Sequence, residues 1–196
     1  FLALYFSTSG MDSLIDAFNQ TVHEIETRSF LKQRLISVIL VLIVSIIAGI
    51  AIVLITLGPH VLHFLAEQGI FKSAVTVYLI SALRWLIIVF MLLFAFSFLY
   101  YLAPAGENKF RFMSAGSMLS TLLTVAMSVA FNYYVNNFSR YNSLYGSIGT
   151  LMIIMLWLNF NALAVIIGFE LNASILGARK KINGLCNGKG KSKTGF

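Results

Sequence analysis

The chain predicts an all-α fold, a polytopic transmembrane helical bundle with four full spans and the end of an earlier one. Three observations carry that prediction. Four apolar runs, residues 35–57, 75–101, 114–135 and 146–171, are 23, 27, 22 and 26 residues long, and about 20 suffice to cross a hydrocarbon core of about 30 Å. The first and third hold no charged residue, the second only Arg84 and the fourth only Glu170. Overall, 59% of the residues are hydrophobic and 11% charged, with a mean hydropathy of +0.87. A soluble domain carries about 25% charged residues and has no place for such long apolar runs.

The net charge of +7 invites a nucleic-acid reading until its distribution is followed. Arg28, Lys32 and Arg34 precede the first span, Lys109 and Arg111 lie between the second and third, and six basic residues follow the fourth. The other two connections hold only Lys72 and Arg140. Eleven basic residues against two on alternate sides orient the N-terminal segment, the middle loop and the tail toward the cytoplasm. Topology accounts for the charge, and no nucleic-acid partner is expected. Cys186 is the only cysteine, which excludes an intrachain disulfide and a thiolate metal cluster.

Taken in order, residues 1–6 read as the end of a cut span, because the apolar FLALYF stops at Ser7-Thr8-Ser9-Gly10. Residues 9–33 read as a cytoplasmic amphipathic helix, lying on the membrane or packed under the bundle. Ser9 and Asp12 fit a capping box, and Leu14, Phe18, Val22 and Ile25 recur at helical spacing. The first span is expected to end at Gly58-Pro59, since proline breaks the hydrogen-bond ladder. Ala103-Pro104-Ala105-Gly106 breaks the chain between spans two and three. Span three is rich in small and hydroxylated residues, from Ser114 to Ala130, which let helix backbones approach closely and predict a central position. The aromatic and Asn-rich segment 131–145 suits a membrane–water interface. Residues 1–183 form one membrane-embedded domain in this reading, and the Gly- and Lys-rich residues 184–196 a disordered cytoplasmic tail.

Polar residues inside the spans are the candidate functional groups. Arg84 lies nine residues into its span, about 13 Å deep. An unpaired arginine there costs at least ~2.5 kcal/mol, so it needs a partner, water, or an outward reach. Either it contacts an anion or headgroup on a transport path, or it bonds Ser128 or Asn132 of span three, or it snorkels. Glu170 is expected to group with Asn172 near the cytoplasmic end, with Gly168 allowing close helix contact, as a structural staple or, second, as a proton or substrate gate. Asn159 and Asn161 are expected to fasten helices together or, second, to line a polar path. His60, His63 and Glu67 share a helical face, but i, i+3 histidines at an interface are ordinarily solvated, and no metal site is expected there.

The chain resembles the YihY/BrkB family of bacterial inner-membrane proteins. Phe131, Tyr134, Phe138, Tyr141, Tyr145-Gly146 and Gly149 are similar to the family's signature loop and helix start, and Trp157 with Gly168-x-Glu170-Leu171-Asn172 to its last helix. Asp12 to Phe30, with Asn19 and Arg28, resembles the region after its second helix, and Pro104 with Ala115-Gly116 its middle loop. Two positions depart from the pattern: Asn159, where an aromatic is usual, and Phe169, where a small residue is common. The resemblance implies six spans with both ends cytoplasmic, so that the first helix and most of the second would precede this chain. It implies a multi-pass protein of the bacterial cytoplasmic (inner) membrane with membrane lipids as neighbours.

The ribonuclease BN label sometimes attached to the family finds no support in these residues. A metal-dependent nuclease needs convergent His and Asp ligands to activate water. Here Asp12 and Asp16 lie far in the predicted topology from His60 and His63. No enzymatic activity and no cofactor are expected. The expectation is a transporter-like or lipid-handling envelope protein, with a lipid or other small molecule as substrate. The alternative is an envelope-integrity scaffold whose polar residues only fasten the bundle.

Overall fold

Lipid offers the backbone no hydrogen-bond partner, so each apolar run must close its own ladder as a helix. The computed structural model describes residues 2–22, 29–67, 74–104, 113–137 and 147–191. They form α1 (Leu2–Val22), α2 (Phe30–Glu67), α3 (Ala74–Leu102), α4 (Ala115–Asn137) and α5 (Ser147–Lys191). Four of these, α2 to α5, contain stretches long and apolar enough to cross a membrane: Phe30–His60, Tyr78–Leu102, Ala115–Asn136 and Gly149–Arg179. Among the described residues there is no strand, and the all-α transmembrane class holds.

The structure differs from expectation at three helix ends. Ser9 does not start a helix, because α1 runs unbroken from Leu2 through it. The hydroxyls bond back along their own helix instead: Thr8 Oγ1 donates to Leu4 O and Tyr5 O at 2.9 Å, and Ser13 Oγ to Ser9 O at 3.1 Å. Residues 9–33 are therefore not one helix, since Phe30 to Gln33 already belong to α2. Pro59 does not end α2, which continues to Glu67; a proline removes one ladder bond, and membrane helices tolerate that loss. Finally, α5 continues to Lys191 through most of the segment expected to be disordered, and residues 192–196 lie outside the described residues.

α4 and α5 form the most extensive pairing; α3 packs against both α2 and α4, and α1 against α2 and α5. Burial is one-sided. The core joins Ile15 and Phe18 of α1, Leu40 of α2, Leu99 and Tyr100 of α3, Phe169 of α5, and Ala103 just beyond α3. All of these sit at the end of the bundle where α2 and α4 start and α3 ends, level with the middle of α5, called the closed end below. Phe169 is fully buried and stacks on Phe18 with ring centroids 4.0 Å apart, and Tyr100 meets both rings edge-on at 5.7 Å. At the other end, residues 42–60, 78–87, 125–136 and 150–163 include no buried residue. These far halves are more loosely packed than the closed end, apart from buried Gly149 and the α2–α3 contact where Arg84 lies against Gly58, and are called the splayed half below.

Candidate functional site

The closed end is built from two rows of small residues. On α4, Gly116, Ser120 and Thr124 repeat every fourth residue, and on α5 Ala164, Gly168 and Asn172 do the same; all six are buried. Without side chains in the way, the backbones nearly touch. A methyl group on Gly168 would lie 1.8 Å from Ser120 Oγ, 2.6 Å from Gly116 O and 2.8 Å from Tyr100 OH. One on Gly116 would lie 2.0 Å from Gly168 O. This is the small-residue packing by which membrane helices associate without a hydrophobic driving force.

Polar groups then fasten the seam. Ser114 caps α4, its Oγ accepting from Ser117 N at 3.3 Å. The next free amide of that first turn, Gly116 N, donates to Asn172 Oδ1 at 2.8 Å, while Asn172 Nδ2 donates to Ser114 Oγ at 2.7 Å. Asn172 therefore caps α4 from a different helix. From α3, Tyr100 OH donates to Val165 O at 2.6 Å and meets the Ser120 hydroxyl, which also lies 3.1 Å from Ala164 O. With one proton to give, Ser120 chooses between the phenol oxygen and that carbonyl.

A second fastening joins α1 to α2. Asp12 pairs with Arg34 and accepts a hydrogen bond from Ser37. Gln33 Nε2 reaches Asp16 Oδ1 at 3.2 Å, and the Arg34 guanidinium lies 5.2 Å over the Tyr5 ring. Asp12 thus serves the α1–α2 contact rather than a cap, and the signal for it in the sequence is an acid and a base on consecutive helices.

Arg84 is the contrasting group. It bonds neither Ser128 nor Asn132 but leans on α2, where a methyl group on Gly58 would lie 2.7 Å from its Cδ and 2.8 Å from its Nη1. Its Nε and Nη1 are buried and have no hydrogen-bond partner among the described residues. Its guanidinium carbon sits 5.9 Å from the Trp85 ring. Ser97 Oγ and Thr124 Oγ1 are also buried without a partner among the described residues.

The other expected residues divide. Gly168 and Asn172 sit at the seam, but Glu170, two residues from each, is exposed on another side of α5 and does not join Asn172. Asn161 donates to Trp157 O of its own helix at 2.7 Å, and Asn159 is exposed, so neither fastens helices among the described residues. Gly149 is buried; Phe131 packs near Tyr134, with centroids 6.3 Å apart, and Trp157 is partly exposed. Phe138, Tyr141, Tyr145 and Gly146 lie outside the described residues, as do the side chains of His63 and Glu67; His60 is exposed. Among the described residues, no three His, Cys, Asp or Glu side chains converge to hold a metal. Tyr100 was missed because it reads as one more aromatic in an apolar run. Its signal was the hydroxyl, which when buried must find a partner.

Comparison with known proteins adds the family. Residues 1–185 match the family described as "Virulence factor BrkB". The chain is 31% identical over 180 residues to the "Putative ribonuclease-like protein YfkH" of Bacillus subtilis (strain 168), covering 92% of this chain and 65% of that protein. It is 25% identical over 173 residues to the "UPF0761 membrane protein MS0032" of Mannheimia succiniciproducens, covering 86% of this chain and 57% of that protein. The chain thus spans 65% and 57% of the length of these two relatives. No solved structure matches it.

Proposed function

This chain belongs to the virulence factor BrkB family of membrane proteins, and on that premise we propose that it handles lipid in the bacterial cytoplasmic (inner) membrane, moving a lipid or other amphiphilic small molecule without enzymatic turnover. The basic ends face the cytoplasm, so the closed end is the cytoplasmic one and the splayed halves open toward the periplasm. The observation that carries this reading is the one-sided closure. One half buries few side chains and would admit lipid or substrate between its helices, while stacked aromatics and a polar seam close the other.

The ribonuclease-like name of the Bacillus relative is not carried over to this chain. Asp12, one of its two aspartates, is engaged by Arg34 and Ser37, which leaves that carboxylate poorly placed to ligate a metal for water activation.

The test is lipid movement between leaflets of proteoliposomes holding the full-length protein, read by quenching of a fluorescent phospholipid from outside. Movement well above that in protein-free vesicles is expected; none at any protein density would overturn the reading. Orientation is read separately through Cys186, the only cysteine. A membrane-impermeant maleimide should label it only after the cytoplasmic face is exposed.

A second reading, an envelope scaffold, is favoured by one observation: the seam residues Asn172, Ser120 and Tyr100 satisfy one another. A scaffold would leave lipid unmoved in the vesicle assay, while Gly168 substitutions would still weaken the envelope.

A further inference from the structure

We propose that Arg84, seated on the bare backbone of Gly58 between α2 and α3, binds the phosphate of an anionic phospholipid from the periplasmic leaflet. The inference rests on the lipid-handling reading and names the ligand class.

Three observations converge on the α2–α3 seam. The first is the missing partner. Arg84 offers five N–H donors, and two of its nitrogens, Nε and Nη1, are buried without a hydrogen-bond partner among the described residues. A guanidinium held in a membrane span demands an anion or water, and with Nε and Nη1 shut in against protein, Nη2 is the nitrogen left to meet a phosphate in a charge-assisted bond.

The second is the seat. Gly58 carries no side chain, and any Cβ there would collide with Arg84 at Cδ, 2.7 Å away, and Nη1, 2.8 Å away. The guanidinium is thus held by backbone on one side and stands near the Trp85 ring on the other, 5.9 Å from its centroid. The seat fixes the direction in which the remaining donors point.

The third is depth. Arg84 precedes Tyr100 of the closed end by 16 residues, about 24 Å along α3. Across a hydrocarbon core of about 30 Å, that places it in the opposite half of the membrane, from which a long side chain can reach toward the headgroups. Tyr78, exposed six residues or about 9 Å further out, marks that headgroup level, because amphipathic rings favour the interface. At that level the abundant anion is a lipid phosphate. Arg84 also lies in the splayed half and is only half-buried as a residue, which leaves part of it open to a lipid at the side.

The test uses full-length protein in nanodiscs of mixed phosphatidylglycerol and phosphatidylcholine, extracted and read by native mass spectrometry for retained lipid. The wild type should retain phosphatidylglycerol well above its bulk share. Arg84→Ala and Gly58→Ala should each cut that retention about tenfold, the second despite keeping the charge, and Arg84→Lys should retain an intermediate amount. If Gly58→Ala does not assemble, Arg84→Gln carries the test, being similar in size and uncharged. Equal retention by the wild type and Arg84→Ala overturns the proposal. Adding inorganic phosphate separates the possible sources: displacement of the lipid by free phosphate at millimolar levels would overturn the lipid assignment in favour of a soluble anion. The vesicle assay separates this proposal from the reading beneath it. Lipid moved equally well by Arg84→Ala, with unchanged retention, removes the site and leaves the lipid-handling function. Arg84-dependent retention with no lipid movement in the wild type leaves the site and removes that function.

Discussion

Replacing Gly168 by alanine tests the seam with the smallest possible perturbation. The new methyl group would stand 2.6 Å from Gly116 O, a backbone atom that cannot swing aside, and 1.8 Å from Ser120 Oγ. Reaching an ordinary contact of 3.4 Å from that carbonyl requires α4 and α5 to separate by about 0.8 Å. Bonds between α5 and its neighbours that now measure 2.6 to 3.1 Å would then stretch toward or past the 3.5 Å limit: Tyr100 to Val165, Ser120 to Ala164, and Asn172 to Gly116 and Ser114. At about 0.6 kcal/mol for each interhelical bond, losing four costs roughly 2–3 kcal/mol. If the helices hold their spacing instead, overpacking strain costs a similar ~1–3 kcal/mol. The first route lowers the folding equilibrium constant by roughly 30- to 150-fold and the second by roughly 5- to 150-fold. The assay is reversible unfolding in mixed micelles, followed by helical circular dichroism. Gly177→Ala is the control, because nothing lies within 4 Å of its added methyl group and alanine favours the helix. If Gly168→Ala unfolds together with Gly177→Ala, the close approach of α4 and α5 is wrong.

Other positions give sharper partial tests. Asn172→Leu removes two bonds and strands the Gly116 amide, at a cost of about 1–3 kcal/mol in the same unfolding assay; no loss would mean that α4 is capped by something else. Phe169→Ala should cost about 3–5 kcal/mol, and a double-mutant cycle with Phe18→Ala should show coupling of about 0.5–1.5 kcal/mol from the stacked pair. The Asp12–Arg34 pair is partly exposed, with side chains 22% and 27% accessible, so its cycle should give no more than about 1 kcal/mol and fall with added salt. Exchanging the two charges should restore much of what either single reversal loses.

The four spans were legible because hydropathy over 20 residues is a strong signal, and lipid leaves the backbone only the helix. Local end signals were weaker. Ser9 and Pro59 are ordinary punctuation in water, but inside long apolar helices Ser9 falls in mid-helix among hydroxyls bonded to their own backbone, and the proline costs only one bond. Gly168 and the small residues of α4 announced close packing, and the structure supplies it. Phe169 became part of an aromatic stack because α1 packs against α5 and offers Phe18. Which residues meet across helices was not legible. Asn172 reaching the first turn of α4, Asp12 reaching Arg34, and Arg84 lying on Gly58 all depend on the rotation of each helix about its axis. A nearly uniform apolar circumference gives hydropathy no purchase on that rotation.

Central to the account is a bundle shut at its cytoplasmic end and open toward the periplasm, and one face of α4 can report both halves. Ser117 and Ser128 lie eleven residues apart, three turns and about 16 Å along the same face; Ser117 is buried in the closed end and Ser128 belongs to the splayed half. With Cys186 replaced by serine, intact cells carrying Ser117→Cys or Ser128→Cys are treated with a membrane-impermeant maleimide from outside. Labelling of Ser128→Cys with protection of Ser117→Cys is the predicted result, and labelling of Ser117→Cys, or of neither position, would contradict it.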